Sequence, residues 1–308
     1  MIITYIILLV LLFYVLGASA DMVVRRIKQI ADKFKISILS MGMVLGALTT
    51  LPEFFVGVNS LVLDVPNLYF GTLMGGIIVV FCLILGFSLV LNRKVKTDGK
   101  YSSILPVSLA LLLPLFMGLK GTLNYLDGII FLGIYLIFLY KNTIEHNHIN
   151  VSDITKNEVV LAKNFFWIIT GVILVVFSSN LIVVIATRIL AAYNVSALMI
   201  GLIVFSLGTN LPELIIAIRS WTRHVPELSL NHIIGSALAN ILVLGFMLLV
   251  RPLSFDIGAS YKFLLTVMCI VLFTLTSFYK SDGELTRKEG YKLLVIYLVF
   301  IVGQILFS

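Results

Sequence analysis

The chain has 308 residues, 60% of them hydrophobic and 12% charged, with a formal net charge of +7. No water-soluble fold of this length hides so much apolar surface, so the composition excludes an ordinary soluble domain and points to a polytopic membrane protein. The positive balance does not signal nucleic acid, because Lys and Arg lie in short segments between apolar runs.

Ten apolar segments, each about long enough to cross a bilayer, are predicted at 2–20, 37–63, 68–91, 104–119, 124–140, 165–187, 196–218, 228–250, 259–279 and 291–307. The expected fold class is therefore an all-α polytopic membrane protein. The first segment ends near Ala18-Ser19-Ala20, which looks like a signal-peptidase site. No positive region precedes it, and the stretch has a counterpart in the second half, so a retained helix is expected. Cys82 and Cys269 both fall inside apolar runs and read as packing residues, with no disulfide framework and no CxxC site. The longest polar stretch, 141–164, carries Glu145, His146, His148, Asp153, Lys156 and Glu158 and splits the ten segments five and five. This divides the chain into a first unit at 1–140, a linker at 141–164 and a second unit at 165–308.

The loops after segments one, three, five, seven and nine hold about 18 of the 22 Lys and Arg. Arg25, Arg26, Lys28, Lys33 and Lys35 fill the first of these, while the opposite side holds only Lys120, Arg188, Arg251 and Lys262. The rich side is expected to be cytoplasmic, which places both termini outside and the central linker inside.

The two halves repeat. At an offset of 160, Leu51-Pro52-Glu53 falls on Leu211-Pro212-Glu213, Thr49 on Thr209, Val65-Pro66 on Val225-Pro226, Gly75 on Gly235 and Ser19 on Ser179. Five segments is an odd number, so the second copy enters the membrane from the opposite side. Inverted repeats of this kind place a binding site at mid-membrane where the copies meet.

Of 15 acidic residues, only Glu53 and Glu213 lie well inside apolar runs. A carboxylate there costs a few kcal/mol or more and reads as a functional group, here as two acids that bind cations or protons. The alternative, a protonated or Arg-paired carboxyl, finds no Lys or Arg at comparable depth. Pro52 and Pro212 each remove one backbone N–H and free the carbonyl four residues earlier, at Leu48 and Gly208. Without the neighbouring Glu, each would read as a plain proline kink. Thr49, Thr50, Thr209 and Asn210 come one turn before the two Glu. In the eighth segment, Asn231, Ser236 and Asn240 recur at spacings of five and four, which puts Ser236 and Asn240 on one face. Ser236 also fits close helix packing, and Asn240 an interhelical hydrogen bond. His232 reads as interfacial. A ligand set of oxygens with two carboxylates favours Ca²⁺, Na⁺ and H⁺ over Zn²⁺ or Cu.

These residues resemble the cation/calcium antiporter superfamily, and within it the prokaryotic sodium/calcium exchangers. The family pattern is a G-[ST]-S-x-P-E-like stretch in helices two and seven, with a G-S-x-x-x-N/D-like stretch in helices three and eight. The second half is close to it: Gly208-Thr209-Asn210-Leu211-Pro212-Glu213, then Gly235-Ser236 and Asn240. The resemblance implies ten transmembrane helices in two inverted-topology five-helix repeats. It implies that Glu53, Glu213, Thr49, Thr209, Ser236 and Asn240 are ion ligands, with helices one and six sliding across a rigid core. Asn240 in place of Asp resembles the potassium-independent branch. The first half departs from the pattern, with Leu48 for Gly, Gly76 for Ser and Val80 for Asn, and Asn210 replaces a Ser in the second. Gly76 and Val80 offer no side-chain ligand, so at least one Na⁺ site is expected to be weakened.

The sequence therefore reads as a secondary antiporter exchanging Ca²⁺ for Na⁺ in a prokaryotic plasma membrane. The predicted ion-binding set is Glu53, Glu213, Thr49, Thr50, Thr209, Asn210, Ser236 and Asn240. No cofactor and no enzymatic step are expected, and the partners are inorganic cations and the lipid bilayer. Two alternatives stand beside it: coupling to H⁺, and a transport-deficient paralogue acting as a sensor or scaffold.

Overall fold

The computed structural model describes residues 2–33, 42–92, 94–97, 101–145, 158–193, 195–211, 213–214, 230–279 and 284–307. Pro212, Val225, Pro226, Glu227 and the linker at 146–157 with His146, His148, Asp153 and Lys156 lie outside the described residues, as does the side chain of Asn231.

Helix α1 spans Ile2–Lys33 and runs well past the predicted end at 20. Nothing in 21–33 breaks a helix, and Asp21 and Arg25 pair across one turn at 2.6 Å. Arg25 and Arg26, expected in a loop, therefore sit on the helix. Leu9, Phe13, Leu16, Ala20, Val23 and Val24 are buried and recur at helical spacing, which gives α1 one inward stripe. That stripe packs along α8, Glu158–Tyr193. The outer faces of both helices carry exposed Ile7, Leu11, Tyr14, Phe166, Ile173 and Phe177, a surface suited to lipid.

The second predicted segment is broken into α2, Gly42–Thr49, and α3, Leu51–Val62. The third is α4, Pro66–Ile78, which passes through a π-helical turn at Val79–Ile84 into α5, Leu85–Asn92. Strand β1 (Lys94–Lys96) leads to α6 (Tyr101–Met117), β2 (Thr122–Leu123) and α7 (Tyr125–Glu145). The seventh predicted segment is also broken: α9 (Ala197–Ile200), a π-helical turn at Gly201–Phe205, then α10 (Ser206–Thr209). The chain continues with α11 (Leu230–Val250), β3 (Leu253–Ser254), α12 (Ala259–Tyr279), β4 (Glu284–Thr286) and α13 (Arg287–Phe307).

Among the described residues, seven helices are long and apolar enough to cross a membrane, against the ten segments predicted. The breaks explain two of the others, because they leave only the shorter apolar helices Leu51–Val62 and Ala197–Thr209. Two antiparallel ribbons, β1 with β4 and β2 with β3, add a little sheet to the expected all-helical fold. Each ribbon joins a strand from one half of the chain to a strand from the other.

The larger core lies around α4, α6, α11 and α12, with Tyr69, Phe70, Phe81, Phe131 and Tyr261 fully or almost fully buried in it. Two close crossings fix how the broken helices dock. On α2, a Cβ added at Gly46 would fall on the backbone of Gly235 in α11. On α4, a Cβ added at Gly75 would meet the Leu202 carbonyl at 2.5 Å and Ser206 Cβ at 2.8 Å. Shifting Gly46 and Gly235 by the repeat offset gives Ser206 and Gly75, so one contact is made twice. The sequence match of Gly75 with Gly235 thus marks a packing position.

Candidate functional site

The site is built at the two breaks. Pro52 has no N–H to donate to Leu48, so the α2–α3 helix loosens there. Thr50 sits at φ −85°, ψ 13°, outside the helical region. Asn210, its counterpart at the repeat offset, sits at φ −92°, ψ 9°. The chain resumes its i→i+4 pattern beyond each: Phe54 N donates to Thr50 O (3.0 Å) and Leu214 N to Asn210 O (3.2 Å). The same backbone deformation therefore precedes both glutamates.

Glu53 and Glu213 are 3% and 6% exposed and act on each other electrostatically. The ion pairs among the described residues, Asp21–Arg25, Lys120–Asp127 and Asp64–Arg251, include neither of them. Glu53 Oε2, Glu213 Oε2 and Asn240 Oδ1 are buried and have no hydrogen-bond partner among the described residues. Leaving a buried polar atom unpaired costs about 1–3 kcal/mol, so these oxygens, two of them on carboxylates, are suited to hold a cation.

The remaining predicted residues fall around this centre in different ways. Thr50, Thr209, Asn210, Ser236 and Asn240 are all buried, and Thr49 is half-buried. The hydroxyls of Thr49, Thr50 and Thr209 donate to the carbonyls of Gly46 (2.9 Å), Ala47 (2.8 Å) and Phe205 (3.0 Å). The lone pairs of Thr49 and Thr50 stay available to a cation, while Thr209 Oγ1 also accepts from Asn210 Nδ2 at 3.4 Å. Asn210 reaches across to the other break, where its Nδ2 donates to Glu53 Oε1 at 3.2 Å. Ser236 adjoins the tight α2–α11 crossing, so it has a packing role in addition to any ligand role. Gly76 is not an empty position: a Cβ there would lie 3.1 Å from Asn240 Nδ2 and 3.4 Å from Asn210 Nδ2. Val80 lies buried within the π-helical turn of the α4–α5 helix.

Three polar groups escaped the sequence reading. Asn59 on α3 donates to Ser179 Oγ (2.9 Å), and Asn180 on α8 donates to Asn59 Oδ1 (3.0 Å). This links a site-bearing helix to the long helix beside it. The signal was present as Asn residues inside apolar runs, but a carboxylate outweighs an amide on any hydropathy argument. Asn59→Ala is expected to strand the Asn180 donor and cost about 1–3 kcal/mol, read as a lower thermal unfolding midpoint in detergent. An unchanged midpoint would remove the link from the structural account. Asp21 is the third group. The predicted segment stopped one residue short of it, yet it lies on α1, paired with Arg25 at 2.6 Å.

Paired breaks, two carboxylates without an ion pair among the described residues, and neutral oxygens among apolar helices are features expected of a membrane transporter of cations. The family model for sodium/calcium exchanger proteins matches residues 4–143 and 163–306, and the chain belongs to that family, a multi-pass member of the cation/calcium antiporter superfamily. An uncharacterized membrane protein of Methanocaldococcus jannaschii is 25% identical over 299 residues, covering 96% of this chain and 95% of its own length. The sodium/calcium exchanger MaX1 of Methanosarcina acetivorans is 34% identical over 104 residues, 33% of this chain and 29% of its own. The fold is similar to that of the sodium-calcium exchanger NCX_Mj soaked with 10 mM Na⁺ and zero Ca²⁺, with a TM-score of 0.69 at 24% identity, covering 98% of this chain and 99% of that one.

Proposed function

We propose that this chain exchanges Ca²⁺ for Na⁺ by alternating access, with the ions held between Glu53 and Glu213. The observation that carries the reading is that Glu53 Oε2, Glu213 Oε2 and Asn240 Oδ1 are buried without a hydrogen-bond partner among the described residues. Two carboxylates with a neutral oxygen suit a hard cation. Thr49, Thr50, Thr209, Asn210 and Ser236 complete the proposed set, as ligands or as supports. The architecture we propose has ten membrane segments in two inverted five-segment halves, 1–140 and 165–308, joined by a cytoplasmic linker at 141–164. It is supported by the twice-made glycine crossing, the matching breaks and the two ribbons. The distribution of Lys and Arg supports termini outside, in a prokaryotic plasma membrane. Binding at mid-membrane and release on alternate sides involve no bond-making step.

H⁺ as the coupling ion is favoured by one observation: Asn210 donates to Glu53 where a Ser hydroxyl would offer a lone pair to Na⁺. Vesicles carrying the reconstituted protein and loaded with Na⁺ are expected to take up ⁴⁵Ca²⁺. Uptake driven equally well by a pH gradient without Na⁺ would replace Na⁺ by H⁺. No cation flux under either gradient would leave the sensor or scaffold reading.

A further inference from the structure

Resting on the exchange reading above, we propose that the Asn210 side-chain amide closes one monovalent-cation position beside Glu53. The site then holds a charge of two at a time, and exchange by this chain moves no net charge.

The orientation of the Asn210 amide is set by its neighbours. Its nitrogen lies 2.9 Å from the Ser206 carbonyl, 3.2 Å from Glu53 Oε1 and 3.4 Å from Thr209 Oγ1. A backbone carbonyl and a carboxylate oxygen only accept, so the group between them must be the NH₂. Its two hydrogens take up the lone pairs that a cation at that spot would use. A hydroxyl there could turn its lone pair inward, whereas an NH₂ has none to offer. The second amide completes the closure. Asn240 Nδ2 and Asn210 Nδ2 stand beside Gly76, 3.1 Å and 3.4 Å from where a Cβ would lie. Gly76 therefore offers no side-chain ligand, and both amide nitrogens stand close to it.

Glu53 Oε2, Glu213 Oε2 and Asn240 Oδ1 have no hydrogen-bond partner among the described residues and are left to a cation. The two carboxylates are balanced by one Ca²⁺ or by two monovalent ions, whether Na⁺ or H⁺. Swapping one load for the other leaves the transported charge unchanged. The geometry also orders any attempt to restore the lost site. A Ser at 76 would place its Cβ 3.1 Å from Asn240 Nδ2, tighter than ordinary contact, and 3.4 Å from Asn210 Nδ2, so the Asn240 amide must give way first.

The test has two arms. In the first, the purified protein in detergent binds ⁴⁵Ca²⁺ by equilibrium dialysis against rising Na⁺. Wild type is expected to give a displacement slope of no more than about two, the charge balance of one Ca²⁺ against monovalent ions. Asn210→Ser and Asn210→Asp are both expected to give a steeper slope, because each puts a lone pair where the amide was. A wild-type slope near three, unchanged in both variants, overturns the closure. In the second arm, the reconstituted wild type is clamped with valinomycin and K⁺ and its steady-state ⁴⁵Ca²⁺ accumulation is measured. One net charge per cycle would shift the ratio about 50-fold per 100 mV, and no shift is expected. A shift of that size overturns the electroneutral exchange. Absent flux with intact ⁴⁵Ca²⁺ binding sinks the transport reading alone and leaves the closure to be judged on the binding slopes. Absent binding overturns both.

Discussion

Glu213→Gln is expected to lower Ca²⁺ flux by about three orders of magnitude while leaving the protein folded. The substitution keeps the size and one carbonyl oxygen of the side chain but removes half of the site's negative charge. A unit charge pair about 4 Å apart is worth about 4 kcal/mol at an effective dielectric of about 20, which is close to 1000-fold in affinity. Glu213 is 6% exposed and its Oε2 meets no donor among the described residues, so little among them compensates the lost charge. Folding should survive, since no ion pair among the described residues depends on this carboxylate. Elution as a single species with ⁴⁵Ca²⁺ uptake near background is the expected result. Normal uptake by the variant would remove Glu213 from the ion path. Glu53→Gln should behave similarly, but there the Asn210 donor would be left facing an amide in place of a carboxylate.

Gly201→Val is expected to be the most damaging single change in the packing. Gly71 on α4 and Gly201 in the π-helical turn cross so closely that a Cβ on either would strike the other helix's backbone: the Leu198 carbonyl from Gly71, the Leu68 carbonyl from Gly201. Backbone cannot rotate away as a side chain can, so the helices themselves must separate. Overpacking of this kind costs about 1–3 kcal/mol, occasionally more. Separation here would also disturb Gly75, Ser206 and hence the carbonyl that holds the Asn210 amide. The expected outcome is a lower yield of monodisperse protein and a lower unfolding midpoint, with residual Ca²⁺ binding weakened. A variant of wild-type stability would show that the crossing is looser than described.

The membrane character, the helical segments and the two glutamates were legible because each is a local contrast. A run of apolar residues is read one position at a time, and a carboxylate inside it stands out by its cost. The repeat was legible for a similar reason, since Leu-Pro-Glu and Val-Pro recur at one offset. Boundaries were less secure. Helix α1 outran its apolar segment because helicity needs only the absence of a breaker, whereas the prediction followed hydropathy. Asn59 and Asn180 were passed over, and Ser179 was read only as a repeat match, because an amide or hydroxyl in an apolar run is ambiguous until its partner is known, and the partners lie 120 and 121 positions away.

The sequence by itself determined that this chain lives in a bilayer, that its halves repeat, and that two carboxylates mark their matched centres. Those properties follow from composition and spacing. Tertiary structure decided what surrounds the carboxylates. Gly76 looked like a lost ligand, yet in space it is the floor under two amides. Asn210 looked like a substitute for a hydroxyl, yet its nitrogen reaches a glutamate 157 positions away. Whether an amide presents its oxygen or its nitrogen depends on which acceptors stand around it. Those acceptors come from helices that meet only when the chain folds.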